Sequence, residues 1–249
     1  ETLAALSLYC QIPFGQMRHE NPRVIALARR LGRTPGAVAM KLGNLASFDP
    51  FHQARSVGGL KNASAMDKAV WDEFYGRWDT LAAVADADEL VEADDLATER
   101  GIAQSRDTTA PDPSSTSAVA LVTVRRGQRF FRNAVLSAYG AKCCVTGIEE
   151  PQLLRASHIV PWAEREETRL DPANGLCLNA LHDAAFDRGL ITVGEDWTLR
   201  VSGRVRGVMP EETWRGFFQR FDGAKVDKPE RWEPAGEFLE WHRGRVFGG

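Results

Sequence analysis

Apolar positions follow a helical period over the first third of the chain, lose it in the middle, and mix helical with alternating stretches beyond residue 119. Asn21-Pro22 marks a helix start, with a capping amide and a proline at the first helical position. The run RVIALARRLG that follows puts Val24, Leu27, Ala28 and Leu31 on one face, and Gly32 closes it. Thr34-Pro35 repeats the signal at once, and a second helix over 35–46 carries Val38, Leu42 and Leu45 at i, i+4 and i+7. A further helix is predicted over 60–78, with Val70, Phe74 and Trp78 as its stripe. Beyond residue 119 the pattern predicts helices over 128–139, 179–187, 213–220 and 236–246. It also predicts a strand over 153–158, and a hairpin of 190–193 with 198–201 around Gly194-Glu195-Asp196-Trp197.

The middle third separates two globular units. Residues 80–102 combine helix formers with acids and a few apolar positions, Leu81, Val84, Leu90, Val91 and Leu96, and read as an acidic spacer. Residues 103–118, rich in Ser, Thr, Pro and Asp without periodicity, read as a flexible linker. The prediction is therefore an α+β protein in three parts: a helical unit over 1–79, a spacer and linker over 80–118, and a second unit over 119–249.

Charge follows the same division. The chain is −3 overall, yet 1–79 carry ten Lys/Arg against seven Asp/Glu, 80–118 carry two against nine, and 119–249 carry nineteen against eighteen. The acidity sits in the middle, so net charge does not exclude a nucleic-acid footprint on either globular unit. No run of apolar residues is long enough to span a membrane. The opening ETLAALSLYC has neither the basic region nor the apolar core of a signal peptide. Four cysteines do not make a disulfide scaffold, and a reducing cytoplasm is the expected compartment.

The helices over 22–31 and 35–46, joined by the tight turn Gly32-Arg33-Thr34, resemble a helix-turn-helix. The second would offer Gly36, Met40, Lys41 and Asn44 to a groove or to phosphates, with Arg33 at its entrance. Any small helical bundle yields the same pattern, so a DNA-contacting role depends on the chemistry of the second unit.

That chemistry lies in 143–191. SHIVPW places His158 at the predicted strand end, Asn174-Gly175-Leu176 follows sixteen residues after it, and His182-Asp183 comes eight residues later. A histidine near neutral pKa at a strand end can take a proton from water, and a second at a helix start can hold a divalent ion. SHIVPW, NGL and LHDAAFDRGLI, in this order and spacing, resemble the HNH (ββα-metal) endonuclease family, in its branch described as restriction endonucleases. The resemblance extends upstream through RRGQRFFRNAVLSAYGAKCCVTG and downstream to FLEWHRGRVF; QIPFGQ and GRTPGAVAMKL are similar to the N-terminal part of that branch.

The resemblance implies a ββα-metal nuclease domain with flanking helices over 119–249, behind a helical DNA-binding module. His158 would be the general base and Asn174 would brace the loop. One divalent ion, Mg²⁺ or Mn²⁺, would be held by His182 with Ser157 and Asp187, or with Asp183 swung in. Arg155 and Arg188 beside the motif, with Arg33, Lys41 and Asn44 of the N-terminal unit, would contact double-stranded DNA, leaving 5′-phosphate and 3′-hydroxyl ends. Cutting both strands would require a homodimer or two successive nicks. Two departures stand out. Ser157 occupies a position where many members carry a metal-binding Asp. The paired CxxC motifs that hold structural zinc in many relatives become Cys144-Val145-Thr146-Gly147 and Leu178-Asn179-Ala180-Leu181, so no structural zinc is expected. Ser157 also leaves open a decayed domain in a DNA-binding regulator, and a non-specific anti-phage effector nuclease is a third reading. His19, His52 and His242 read as surface or packing residues.

Overall fold

The structure is a computed structural model that describes residues 1–55, 63–85 and 115–249, without the side chains of 115–122. Most of the expected spacer and linker therefore lies outside the described residues.

The N-terminal unit is helical: α1 (Thr2–Gln11), α2 (Pro22–Leu31), α3 (Pro35–Ala46), α4 (Pro50–Ala54), α5 (Ala65–Phe74) and α6 (Trp78–Val84). Local chemistry sets these boundaries. Asn21 Oδ1 accepts from the Arg23 amide at 2.8 Å, and Gly32 ends α2 in the left-handed region at φ 63°, its N–H on the carbonyls of Ala28 and Arg29. Ser64 and Asp67 form a reciprocal capping box on α5. The helix predicted over 60–78 breaks, because the chain leaves helical geometry at Tyr75 and Gly76 takes φ 89°. Trp71 is the buried apolar side chain of α5, with Val70 and Phe74 packed half-buried against the same core. Helix α1 lies at the centre, packing against α2, α3, α5 and α6.

The long helix α7 (Ser115–Ala138) begins well before the predicted start at 128 and packs on α1 and α6 as well as on the strands that follow. Strands β1 (Leu154–His158) and β2 (Gly175–Asn179) pair antiparallel, with His158 opposite Gly175 and Leu154 opposite Asn179. Chain direction then passes straight into α8 (Ala180–Asp187), capped by Asn179, whose Oδ1 accepts from the amides of Leu181 and His182. The expected hairpin forms as β3 (Ile191–Val193) with β4 (Leu199–Val201), and α9 (Glu211–Phe217) and α10 (Gly236–Arg245) complete an α+β fold.

Two apolar cores meet along α7. Successive residues on a helix point about 100° apart, so Phe130 and Ala134 enter the N-terminal core while Phe131, Val135 and Ala138 enter the core around β1 and β2. A β-carbon on Gly175 would fall 2.4 Å from Val135 Cγ2 and 3.0 Å from Phe131 Cζ, so the close approach of α7 to β2 requires glycine there. On the other side, Arg231 is buried against the N-terminal unit. It donates to Ser137 Oγ at 2.7 Å and to the carbonyls of Tyr9 and Ile12 at 3.4 Å, and lies 3.9 Å from Asp49. Tyr9 completes the network by donating to Asp49 at 2.7 Å. Next to it, Trp232 donates its indole N–H to Tyr75 at 2.9 Å.

Candidate active site

Asn174 shapes the loop between β1 and β2. Fully buried, it accepts from the Val160 amide at 2.8 Å and donates to the carbonyls of Val160 and Thr168 at 3.0 and 3.2 Å. Its own carbonyl accepts from the Ile159 amide at 3.0 Å. One side chain thus ties the far part of the loop to the end of β1, where His158 sits.

The His158 ring is held on two sides. Its Nε2 lies 2.9 Å from the Arg169 carbonyl. A carbonyl can only accept, so Nε2 carries the proton and Nδ1 keeps its lone pair. The ring stacks on Phe131 at 3.8 Å and 8°, with Trp162 edge-on at 5.6 Å. Burial pushes this imidazole down to about 4, so it is neutral at neutral pH. Arg169 is itself fixed, its Nε donating to the Trp162 carbonyl at 2.7 Å.

Neighbouring strand residues point to opposite faces, so Ser157 turns away from Phe131 and toward α8. It is buried, and its hydroxyl lies near enough to the Asp183 carboxylate to favour the ionised form, yet makes no well-aligned hydrogen bond. Asp183 and Asp187 are at i and i+4 on α8 and share a face. Burial raises the Asp183 carboxyl, against the pull of Ser157, Arg155, Arg188 and Arg132. Crowding by protein, and then the charge of Asp183, push Asp187 up to about 7. Asp187 remains open to solvent, which screens the effect, and its direction carries the argument. Arg155 donates to the carbonyls of Gln152 and Leu154 at 2.9 and 2.8 Å, and Arg188 to that of Ala184 at 2.9 Å.

The sequence model of the HNH endonuclease family matches residues 143–194. The chain carries an HNH endonuclease domain. A comparison with curated proteins gives no match. The matched part of the HNH domain holds His158, Asn174 and both carboxylates of α8; Phe131 and the N-terminal helices lie outside it.

His182, expected as a metal ligand, is not brought to Ser157 and Asp187. It is buried, with Nδ1 taking a hydrogen bond from Asn179 Nδ2 at 3.0 Å and Nε2 donating to the Phe217 carbonyl at 2.8 Å. One helix cannot aim adjacent residues at the same point, and here Asp183 faces β1 while His182 faces Phe218 and Phe221. The signal was in the sequence: Asp183 shares helical spacing with Asp187, and His182 does not.

His182 belongs instead to a hydrogen-bonded knot. Cys143 Sγ accepts from the Asn179 amide at 3.2 Å, and Asn179 Nδ2 reaches Cys143 Sγ at 3.5 Å and Thr146 Oγ1 at 3.2 Å. The two turns of the HNH domain therefore meet as Cys143-x-x-Thr146 and Asn179-x-x-His182, one residue out of the register read from the sequence. A thiol, a hydroxyl, an amide and an imidazole meet there.

The N-terminal candidates lie apart from this site and have partners of their own. Arg33 pairs with Glu1 at 3.0 Å on the surface, and Lys41 Nζ contacts the buried Asp67 at 2.6 Å. Asn44 has its Oδ1 buried without a hydrogen-bond partner. Gly36, Ala37 and Met40 form the exposed side of α3, a surface without charge.

Proposed function

We propose that this protein is a metal-dependent endonuclease that hydrolyses phosphodiester bonds of double-stranded DNA, with His158 as general base. The observation that carries this reading is the neutral His158 ring, its Nε2 committed to a carbonyl, at the end of a strand whose preceding residue, Ser157, faces the Asp183 carboxylate of α8. Among the described residues no three His, Cys, Asp or Glu side chains converge as a ready metal site. Two carboxylates with raised pKa beside an orphaned buried hydroxyl nevertheless fit a hard cation that prefers oxygen donors. Ser157, Asp183 and Asp187 would hold it, with water completing the shell.

A bound Mg²⁺ or Mn²⁺ neutralises charge on the phosphate and on the departing 3′ oxygen. His158 Nδ1 receives the proton of the attacking water, and the Nε2–Arg169 bond keeps the ring in that tautomer. Asn174 holds the loop that provides the Arg169 carbonyl. Arg155 and Arg188 would meet backbone phosphates, which fix register without reading sequence. Relaxation of supercoiled plasmid with Mg²⁺ or Mn²⁺, with and without EDTA, tests the reading; no cleavage, or cleavage that survives EDTA, defeats it.

Restriction is the expectation from the sequence, with α2 and α3 as a helix-turn-helix-like reader. The partners of Arg33 and Lys41, and the uncharged face of α3, favour the second reading, an effector nuclease that holds DNA through the HNH domain and has little sequence preference. Sequencing the ends of cut DNA separates the two, because a reader leaves a shared motif at the breaks.

A further inference from the structure

Two separate contacts lead from the N-terminal helices to His158, and both begin outside the matched residues. The first runs through α7. Phe130 is buried in the N-terminal core, 6.4 Å from the ring of Trp78, while the next residue, Phe131, lies flat against His158. The second runs through the loop after β1. The Trp78 side chain lies near enough to the Asp171 carboxylate to favour its ionised form, and that carboxylate accepts from the Ala173 amide at 2.9 Å. Leu170 packs against both cores, and a β-carbon on Gly127 of α7 would meet its Cδ2 at 3.1 Å. Residues 169–171 are therefore held from the N-terminal side, and the Arg169 carbonyl among them is the group that fixes His158 Nε2.

We propose that Trp78 and Phe131 are positioning residues for the general base, so that the N-terminal helices form part of the catalytic apparatus. This rests on His158 being the base. Phe131 blocks one face of the imidazole and removes ring orientations that tilt toward α7. Trp78 anchors the loop whose carbonyl sets the tautomer and the direction of Nδ1. A base aimed at water tolerates little displacement, since an error of about 1 Å can cost on the order of a hundredfold in rate.

Trp78→Phe keeps an aromatic ring but removes the N–H, and Phe131→Leu keeps an apolar side chain but removes the stacked face. Asp171→Ser retains a cap for Ala173 but is too short for Trp78, and serves if Trp78→Phe fails to fold. In single-turnover plasmid cleavage each variant is expected to lose about tenfold or more in rate at saturating DNA, with the half-saturating DNA concentration unchanged. In protein without DNA or metal, the His158 ring-proton resonances should be shifted upfield by the stacked ring. That shift should disappear in Phe131→Leu and move or split in Trp78→Phe. Folded variants with wild-type His158 resonances overturn the proposal, whether or not the rate falls; so do moved resonances with an unchanged rate. If His158→Ala cuts normally while the resonances move as expected, the assignment of the base fails and the positioning contacts stand.

Discussion

His158 and the α8 carboxylates have opposite electrostatic problems, and the difference assigns their roles. Burial keeps His158 neutral down to about 4, so between pH 5 and 8 it is always able to accept a proton. In the proposed role, Asp187 and Asp183, both raised, must lose protons before they can hold a cation. The cleavage rate should therefore fall as pH drops through a range above the ordinary carboxylate value of about 4. Because metal competes with protons for these carboxylates, added Mg²⁺ should move that acid limb to lower pH. A limb that stays near the ordinary histidine value of about 6.5 at every Mg²⁺ concentration would contradict the assignment. His158→Ala should cost about 10²–10⁴ in rate while DNA binding is retained, measured by single-turnover cleavage and gel shift. Activity close to wild type would remove His158 from the mechanism. The same pKa directions act on stability. His158 and His242 are held near 4, so the unfolded chain binds more protons below about 6.5. Their contribution is complete above that pH and is lost as pH falls toward 4. Asp187 has the opposite sign, its penalty growing as pH rises from about 4 and complete above about 7.

At the scale of elements, the β1–β2–α8 unit is closed at its base by the Cys143, Thr146, Asn179 and His182 knot. Hydrogen bonds contribute only about 0.5–1.5 kcal/mol each between neutral groups and somewhat more to the Cys143 sulfur, drawn down to about 6, so such a knot still depends on the apolar packing around it. The purified protein is expected to carry no stoichiometric zinc by elemental analysis; one zinc per chain would show that Cys143 and His182 already act as ligands. The double variant Thr146→Cys with Asn179→Cys would place three thiols and an imidazole at x-x spacing, and it should gain one tetrahedrally bound zinc. Failure of that variant to take up zinc would mean that the four side chains do not converge as described. Helix α7 shows a different lesson. Its apolar pattern predicts a helix over 128–139, but not that adjacent phenylalanines serve separate cores. That division depends on what packs on each side.

For the whole molecule, the shared helix and the buried Arg231 join the N-terminal helices to the HNH domain. Removing one partner of a buried ionic network leaves the other group uncompensated, a loss of about 3–5 kcal/mol. Arg231→Ala should therefore lower stability by that order in chemical denaturation, and both cores should unfold in a single transition. Residues 119–249 expressed alone would expose Phe130, Ala134 and Trp232 and strand Arg231. That fragment should bind hydrophobic dyes and lack a cooperative melt. A fragment that melts cooperatively at the temperature of the full chain would show instead that the N-terminal helices are a detachable arm.

What the sequence determined by itself is local or carried by spacing. Asn21-Pro22, Gly32 and Thr34-Pro35 bound α2 and α3 because capping and backbone restriction act within a few residues. SHIVPW marks the strand end, and the family resemblance that it shares with NGL points to the bracing asparagine. Tertiary structure alone decided which neighbour of a motif residue faces the chemistry. A one-residue difference on a helix is a turn of about 100°. Spacing pairs Asp183 with Asp187, but only the packing shows that His182 is locked to Asn179 and Phe217 while Asp183 turns toward Ser157. The engagement of Lys41 by Asp67, the stacking of Phe131 on His158 and the burial of Arg231 join residues far apart in the chain. No periodicity records such pairs, because they are set by which surfaces exclude water together.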